Sequence, residues 1–182
     1  WKEVKLAGKP TPPLLDRIAF RHCETDVLLV IDAYRGSEIR RCITDFLAAS
    51  AGLGPQSVAL ASGKLVHLGP SSNLVGFLGH NGLMDFQLAP PKHVEETGAR
   101  EVVILACKSD PYFRAAIQAA KAKPYIWTTD LMAPEGYVLE AIMDPWARGK
   151  PAAEARIQAG LAYSRYQKCS TRSAMRIFAA GP

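Results

Sequence analysis

Residues 101–111, EVVILACKSDP, limit the possible folds more than any other stretch of the chain. The unbroken apolar run at residues 102–105 contains β-branched side chains and predicts a buried strand of a parallel sheet. Asp110 and Pro111 then predict a helix start, with Asp110 as the cap and Pro111 at the first helical position. Cys107 would therefore lie at the carboxyl end of a strand, where open α/β sheets bind their ligands. Taken alone, Cys107 also fits a buried thiol that fills space in a core.

Similar apolar segments recur along the chain and alternate with helical patterns. We predict further strands at residues 26–31, 74–78 and 124–127, and a closing strand at 175–179. This alternation predicts the α/β class, as a three-layer α/β/α sandwich with a mostly parallel sheet. Residues 1–25 contain several prolines and a short helical pattern at 14–20. We interpret residues 1–25 as an N-terminal arm and residues 26–182 as a single domain.

The spacing of apolar residues predicts which side of each helix faces the core. One predicted helix begins near Ser37, and its apolar face consists of Ile39, Cys42, Ile43, Phe46 and Leu47. The last long helix follows Pro151, and we expect Ile157, Leu161 and Tyr166 to point inward from it.

Composition narrows the range of functions. The chain has 182 residues, of which 48% are hydrophobic, and no apolar run approaches the ~18 residues of a membrane span. Its net charge of +5 comes mainly from basic residues near the end, and no nucleic-acid-binding motif accompanies them. Four cysteines without a CxxC pair fit neither a zinc site nor a disulfide framework. We therefore expect no cofactor, no metal, no nucleic acid and no membrane contact.

The chain begins at Trp1 and not at Met. We expect a cytoplasmic location, and removal of an upstream segment before Trp1 stays open as an alternative.

Polar and reactive residues follow several of the predicted strands. In chain order they are Asp32 and Arg35, then His80, then Cys107, then Thr128, Thr129 and Asp130. Because the carboxyl ends of parallel strands meet at one edge of a sheet, we expect these residues to gather there.

A cysteine and a histidine at that edge suit nucleophilic catalysis. The thiolate is the reactive form of cysteine, and a histidine can pair with it and later protonate a leaving group. Gly79 and Gly82 let backbone amides near His80 approach a substrate, and with the amide of Cys107 they could form an oxyanion hole. A turn histidine bonded to its own loop is the alternative for His80.

These two segments resemble the caspase-like cysteine peptidases of clan CD, and most closely the CHAT domains. The resemblance rests on LVGFLGHNG, on EVVILACKS, and on a tail with a proline-led helix, a glycine turn at residue 149 and an Ala-rich helix. It covers roughly residues 26–168. It implies that Cys107 is the nucleophile and His80 the general base or acid of an endopeptidase that works through an acyl-enzyme without a metal. The amides of Asn81 and Gly82 would belong to its oxyanion hole.

One departure from this family lies beside the histidine. The family has glycine directly after its histidine, whereas Asn81 precedes Gly82 here. A catalytically inactive caspase-like domain that binds a protein partner, for example through its basic end, is therefore the alternative. A flavodoxin-like ligand-binding domain is a third reading.

The resemblance also implies where a substrate side chain would bind. The pocket for the residue before the cut would be lined by Asp32, Arg35 and Asp130. The two carboxylates favour a basic residue and Arg35 favours an acidic one, unless it pairs with Asp32. We therefore expect a peptide or protein substrate with a basic residue before the cut.

Overall fold

A computed structural model describes residues 1–54, 56–92 and 98–181. Within these ranges the strands are β1 (Lys2–Val4), β2 (Leu14–Arg21), β3 (Leu28–Tyr34), β4 (Gln56–Ala59), β5 (Leu65–Leu68), β6 (Leu74–Leu78), β7 (Glu101–Leu105), β8 (Lys123–Thr128) and β9 (Phe178–Ala180). The α-helices are α1 (Ile39–Ser50), α2 (Ser109–Ala119), α3 (Gly136–Ala147), α4 (Ala152–Gln167) and α5 (Thr171–Ile177).

The central sheet has the order β6-β7-β8-β9. The first three strands are parallel and β9 runs antiparallel to β8. This arrangement confirms the α/β class and the predicted strands in the middle of the chain. It makes the sheet mixed, because the closing strand returns from α5 and pairs with the edge of β8. This strand begins at Phe178 and not at residue 175 as predicted, since residues 175–177 belong to α5.

Side chains of β7 alternate between two separate parts of the core. Val102 and Ile104 belong to one cluster, which also contains Phe46 of α1 and Phe113 of α2. Val103 belongs to a second cluster, to which α3 and α4 contribute. Because both faces of β7 meet apolar side chains, its sequence shows no polar alternation.

The N-terminal part of the chain differs from the prediction. β1, β2 and β3 form a separate antiparallel sheet, and β2 pairs with β3 from Arg21↔Leu28 onward. The helical pattern predicted at residues 14–20 is therefore wrong, and so is the placement of residues 26–31 in the parallel sheet. An apolar run does not specify its partner strand, and here the preceding segment pairs with it through a short hairpin. The boundary at residue 25 stays a prediction, although β2 and β3 pair across it.

The buried face of α4 also differs from the prediction. Ile157, Leu161 and Tyr166 are exposed, and the buried residues are Ala155, Ala159, Gly160 and Tyr163. Small side chains allow close packing against α5, since a Cβ at Gly160 would lie 2.5 Å from the Met175 sulfur. The buried face of α4 therefore consists of its small residues, because large side chains would not fit against α5.

None of the helices in the described ranges combines the length and apolarity that a membrane crossing requires.

Candidate functional site

His80 and Cys107 occupy equivalent positions after two neighbouring parallel strands. Leu78, the last residue of β6, is in register with Leu105, the last residue of β7. His80 and Cys107 each lie two residues further along the chain, and the amide of Gly79 donates to the carbonyl of Leu105 at 3.1 Å. The sheet therefore brings both residues to its carboxyl edge, as the sequence predicted.

Asn81 connects the turns that carry these two residues. Its side chain is fully buried, and its Nδ2 donates to the carbonyl oxygen of Cys107 at 2.7 Å. Its Oδ1 accepts from the amide of Leu83 at 3.1 Å and so caps a short 3₁₀ turn, Gly82–Met84. Sequence reasoning considered only the backbone of Asn81 and missed this side-chain role. The signal was a capping residue type directly before a glycine-led turn.

The sulfur of Cys107 contacts the loop that follows β8. Met132 is buried; its amide donates to Sγ at 3.4 Å and its carbonyl accepts from the thiol at the same distance. The neighbouring amide of Lys108 donates to the carbonyl of Asp130 at 2.9 Å. Asp130 therefore lies beside the cysteine turn, as expected for a residue at the end of a third parallel strand.

The turn between Cys107 and α2 has an unusual backbone. Lys108 adopts a left-handed conformation with φ of 48°, which is uncommon for a residue other than glycine. Buried Ser109 holds the turn: its Oγ donates to the carbonyl of Ile104 at 2.9 Å and lies 3.0 Å from Thr128 Oγ1. The helix begins at Ser109, so the prediction of Asp110 as its cap is wrong. Cys107 thereby lies at the positive end of the α2 dipole, which favours negative charge.

His80 is held by a carboxylate that the sequence analysis did not identify. Its Nε2 lies 2.6 Å from Oδ2 of Asp85, and the two side chains are 61% and 64% exposed. Among the described residues, no hydrogen bond joins His80 to Cys107, and Nδ1 of His80 has no protein partner. The 3₁₀ turn brings Asp85 back toward His80, since the amide of Asp85 donates to the carbonyl of Gly82 at 2.9 Å. The signal available in the sequence was an acid shortly after HNG.

The backbone amides near His80 fall into two groups. The amide of Gly82 donates to the carbonyl of His80 at 3.0 Å and is therefore occupied. Within the part of the chain that the structure describes, the amides of Asn81 and Cys107 donate to no protein acceptor. Because Asn81 has no exposed surface, the amide that remains available to an incoming oxygen atom is that of the partly exposed Cys107.

The two N-terminal pocket candidates lie outside the central sheet. Asp32 is inside β3, where its Oδ2 accepts from a terminal guanidinium nitrogen of Arg17 at 2.6 Å. Arg17, and not Arg35, is therefore the ion-pair partner of Asp32. Because β3 does not pair with β6, the shared-edge argument does not extend to Asp32 and Arg35, whose roles in substrate binding stay predictions. Asp130 alone of the three keeps its strand-end position.

Two further features lie on other elements: the thiol of Cys42 on α1 and a surface cavity between α3 and α4. Burial, with smaller contributions from Asp45 and Asp32, raises the pKa of the Cys42 thiol to about 11. The described residues contain no group of three or more His, Cys, Asp or Glu side chains that could hold a metal ion. A surface cavity of about 380 Å³ lies between α3 and α4 and is lined by Ala141, Asp144, Pro145, Arg148, Glu154 and Gln158.

No protein-family model, curated protein sequence or solved structure matches this chain.

Proposed function

We propose that the protein is a cysteine endopeptidase of the caspase-like type, in which Cys107 is the nucleophile and His80 the general base and acid. The observation that carries this proposal is the equivalent placement of the two residues after β6 and β7, in register through Leu78 and Leu105. The contact from Asn81 to the carbonyl of Cys107 adds support, because it fixes the two turns to each other. In this proposal the helices around the central sheet are the outer layers of a three-layer sandwich.

The reaction would proceed in two steps. The sulfur of Cys107 attacks the peptide carbonyl carbon while His80 takes the thiol proton, and the carbonyl oxygen becomes negative. The amide of Cys107, together with the positive end of α2, stabilises this oxygen. The C–N bond then breaks as His80 protonates the leaving amine, which leaves a thioester. Water, deprotonated by His80, hydrolyses the thioester and releases Cys107.

Catalysis requires the sulfur to leave the backbone of Met132. The two 3.4 Å contacts to Met132 engage the thiol in the structure described here, whereas attack requires the sulfur to face the substrate. A rotation about the Cα–Cβ bond of Cys107 would redirect the sulfur once these two contacts break. We propose that substrate binding selects this second rotamer.

Asp130 gives the proposal its substrate preference. The residue is exposed, its backbone carbonyl accepts from the amide of Lys108 next to Cys107, and a basic side chain before the cut would pair with its carboxylate. We therefore propose a peptide or protein substrate with Lys or Arg at that position.

The test uses the purified chain and a mixture of unstructured peptides, with products identified by mass spectrometry. We expect cleavage after Lys or Arg, and loss of about 10³-fold or more in rate for Cys107→Ala and His80→Ala. Cys23→Ser, which changes an exposed cysteine elsewhere, is the matched control. Cleavage that survives in Cys107→Ala would refute the proposal.

A second candidate is a catalytically inactive domain that binds a protein partner. The observation in its favour is that His80 bonds Asp85 and Cys107 bonds Met132, without a hydrogen bond between His80 and Cys107 in the described ranges. This candidate predicts no labelling of Cys107 by a thiol-reactive peptide probe at neutral pH. Labelling of Cys107 that is faster than that of exposed Cys23 and depends on His80 would exclude it.

A further inference from the structure

We propose that Asp85 is a positioning residue that fixes the proton of His80 on Nε2, so that Nδ1 is the nitrogen that exchanges protons with Cys107 and the leaving group. This inference rests on the proposed peptidase function, and it specifies which ring nitrogen of His80 accepts and donates the proton.

The assignment of the proton follows from hydrogen-bond chemistry. An ionised carboxylate can only accept hydrogen bonds, so the 2.6 Å contact with Asp85 requires a proton on Nε2 of His80. In a neutral ring the other nitrogen, Nδ1, then has a free lone pair. Nδ1 meets no protein donor or acceptor among the described residues. It is therefore the atom left to receive the proton of the thiol.

The backbone fixes Asp85 relative to the candidate nucleophile. The amide of Met84 donates to the carbonyl of Asn81 at 3.1 Å, and the amide of Asp85 donates to that of Gly82 at 2.9 Å. Asn81 in turn contacts the carbonyl of Cys107. One short turn therefore sets the positions of the carboxylate, the histidine and the cysteine relative to each other.

The turn itself is held tightly against the core. A Cβ on Gly82 would lie 2.7 Å from the ring of Phe86 and 3.1 Å from the side chain of Ile43. The ring of Phe86 is covered by the guanidinium of Arg40, 4.1 Å from the ring centroid. This packing leaves little freedom for the backbone that carries Asp85.

Stability does not account for the contact between His80 and Asp85. Both side chains are more than half exposed, and exposed ion pairs contribute little to folding. A role in orienting the ring does account for it, because a short bond to a carboxylate selects one ring rotamer and one tautomer.

The proton balance is complete without transfer to Asp85. Nδ1 accepts the thiol proton, which gives an imidazolium whose Nε2 proton stays on the bond to Asp85. Nδ1 then gives its proton to the amine that leaves as the C–N bond breaks. The carboxylate of Asp85 stays ionised throughout and balances the transient positive charge of His80.

The test compares Asp85→Ala, Asp85→Asn and Asp85→Glu with the parent chain and with Asp26→Ala, which removes an exposed acid at the β2–β3 hairpin. We expect Asp85→Ala to lower kcat by about 10- to 100-fold with little change in KM. Asp85→Asn keeps an acceptor oxygen but no charge, and its kcat should be intermediate. Asp85→Glu should restore part of the loss. The melting temperatures of the three variants should match that of Asp26→Ala.

A second readout is the ¹⁵N spectrum of the imidazole rings, with the signals of His80 assigned from a His80→Gln sample. In the parent chain at a pH where the ring is neutral, we expect a proton on Nε2 and a bare Nδ1. A ring that carries its proton on Nδ1 would overturn the inference. So would a kcat of Asp85→Ala equal to that of Asp26→Ala, provided that cleavage by the parent chain depends on Cys107 and His80. Cleavage that does not depend on Cys107 would instead refute the proposed function.

Discussion

The side-chain amide of Asn81 donates a 2.7 Å hydrogen bond to the backbone carbonyl of Cys107. The same side chain accepts from the amide of Leu83, and it has no exposed surface. Both polar ends of a buried amide are thus satisfied by two different turns. Since one of these turns follows His80 and the other contains Cys107, Asn81 joins the two halves of the candidate site.

Replacement of Asn81 by alanine should destabilise the protein and separate the two turns. The change leaves the carbonyl of Cys107 and the amide of Leu83 without partners, and we expect a loss of about 1–3 kcal/mol in the free energy of unfolding. Urea denaturation measures this loss. Asn73→Ala, an exposed asparagine before β6, is the control and should change stability by less than about 0.5 kcal/mol. Equal stability of the two variants would contradict the structural role of Asn81.

Cys42 should resist alkylation at pH values where the exposed cysteine reacts. Burial raises its pKa to about 11, so at pH 8 only on the order of one molecule in a thousand carries the thiolate. Mass spectrometry of the protein after timed treatment with iodoacetamide should show rapid modification of Cys23 and almost none of Cys42. Reaction of Cys42 should increase as the pH rises toward 11. Equal rates for Cys42 and Cys23 at pH 8 would show that partial burial does not raise the pKa of the Cys42 thiol.

The contact between His22 and Asp144 should make stability depend on pH in the acid range. The pKa of Asp144 is lowered, first by its hydrogen bond with His22 and second by its bond with Arg148. A carboxyl group with a lower pKa in the folded chain stabilises the fold above its unfolded pKa of about 4, and this stabilisation disappears as the pH falls through the folded value.

Asp144→Asn should therefore remove part of the acid sensitivity. Because the side chain of Asp144 is 46% exposed, we expect the variant to lose under about 1 kcal/mol at pH 7, with a smaller difference below pH 4. Urea denaturation between pH 3 and pH 7 tests this expectation, with Asp26→Asn as the exposed control. A difference between parent and Asp144→Asn that stays constant over this range would contradict it.

The corrected orientation of α4 can be checked with a pair of matched truncations. Leu161 is 46% exposed on α4, whereas Ile142 is fully buried on α3. We expect Ile142→Ala to lower the free energy of unfolding by about 2–5 kcal/mol and Leu161→Ala to change it by less than about 1 kcal/mol. A large loss of unfolding free energy for Leu161→Ala would instead support the buried face of α4 that the apolar spacing predicted.

The sequence predicted those parts of the fold in which a local pattern has only one interpretation. The apolar segments that became β6 and β7 are too short for helices, so their assignment as strands followed from composition. Burial followed only for β7, whose residues 102–105 are buried, whereas β6 is an edge strand in which Phe77 is buried and Leu78 is 37% exposed. The apolar segment of β3 looks the same but pairs differently, because the identity of the partner strand depends on the hairpin formed with β2. Pairing is a tertiary property that an apolar run does not encode.

For the candidate site, too, the sequence predicted the residues that follow a recognisable strand but not the contacts made by a turn. His80 and Cys107 were identified because each follows a recognisable strand. Asp85 and the side chain of Asn81 were missed because their contacts depend on the path of the 3₁₀ turn, which no periodicity reveals. On α4 the large residues were expected inside, whereas close packing on α5 requires the small ones there. Each of these features therefore depends on a residue distant in sequence or on a turn that has no periodic pattern.

The backbone of Met132 restricts how synthetic electrophiles would react with Cys107. Its amide and carbonyl both contact the sulfur, so a covalent ligand can approach from that side only after these contacts break. If breaking them is slower than bond formation, warheads of very different intrinsic reactivity would modify Cys107 with the same limiting rate constant. Inhibitor potency would then be improved by groups that displace Met132 and its loop, and a more reactive warhead would add nothing.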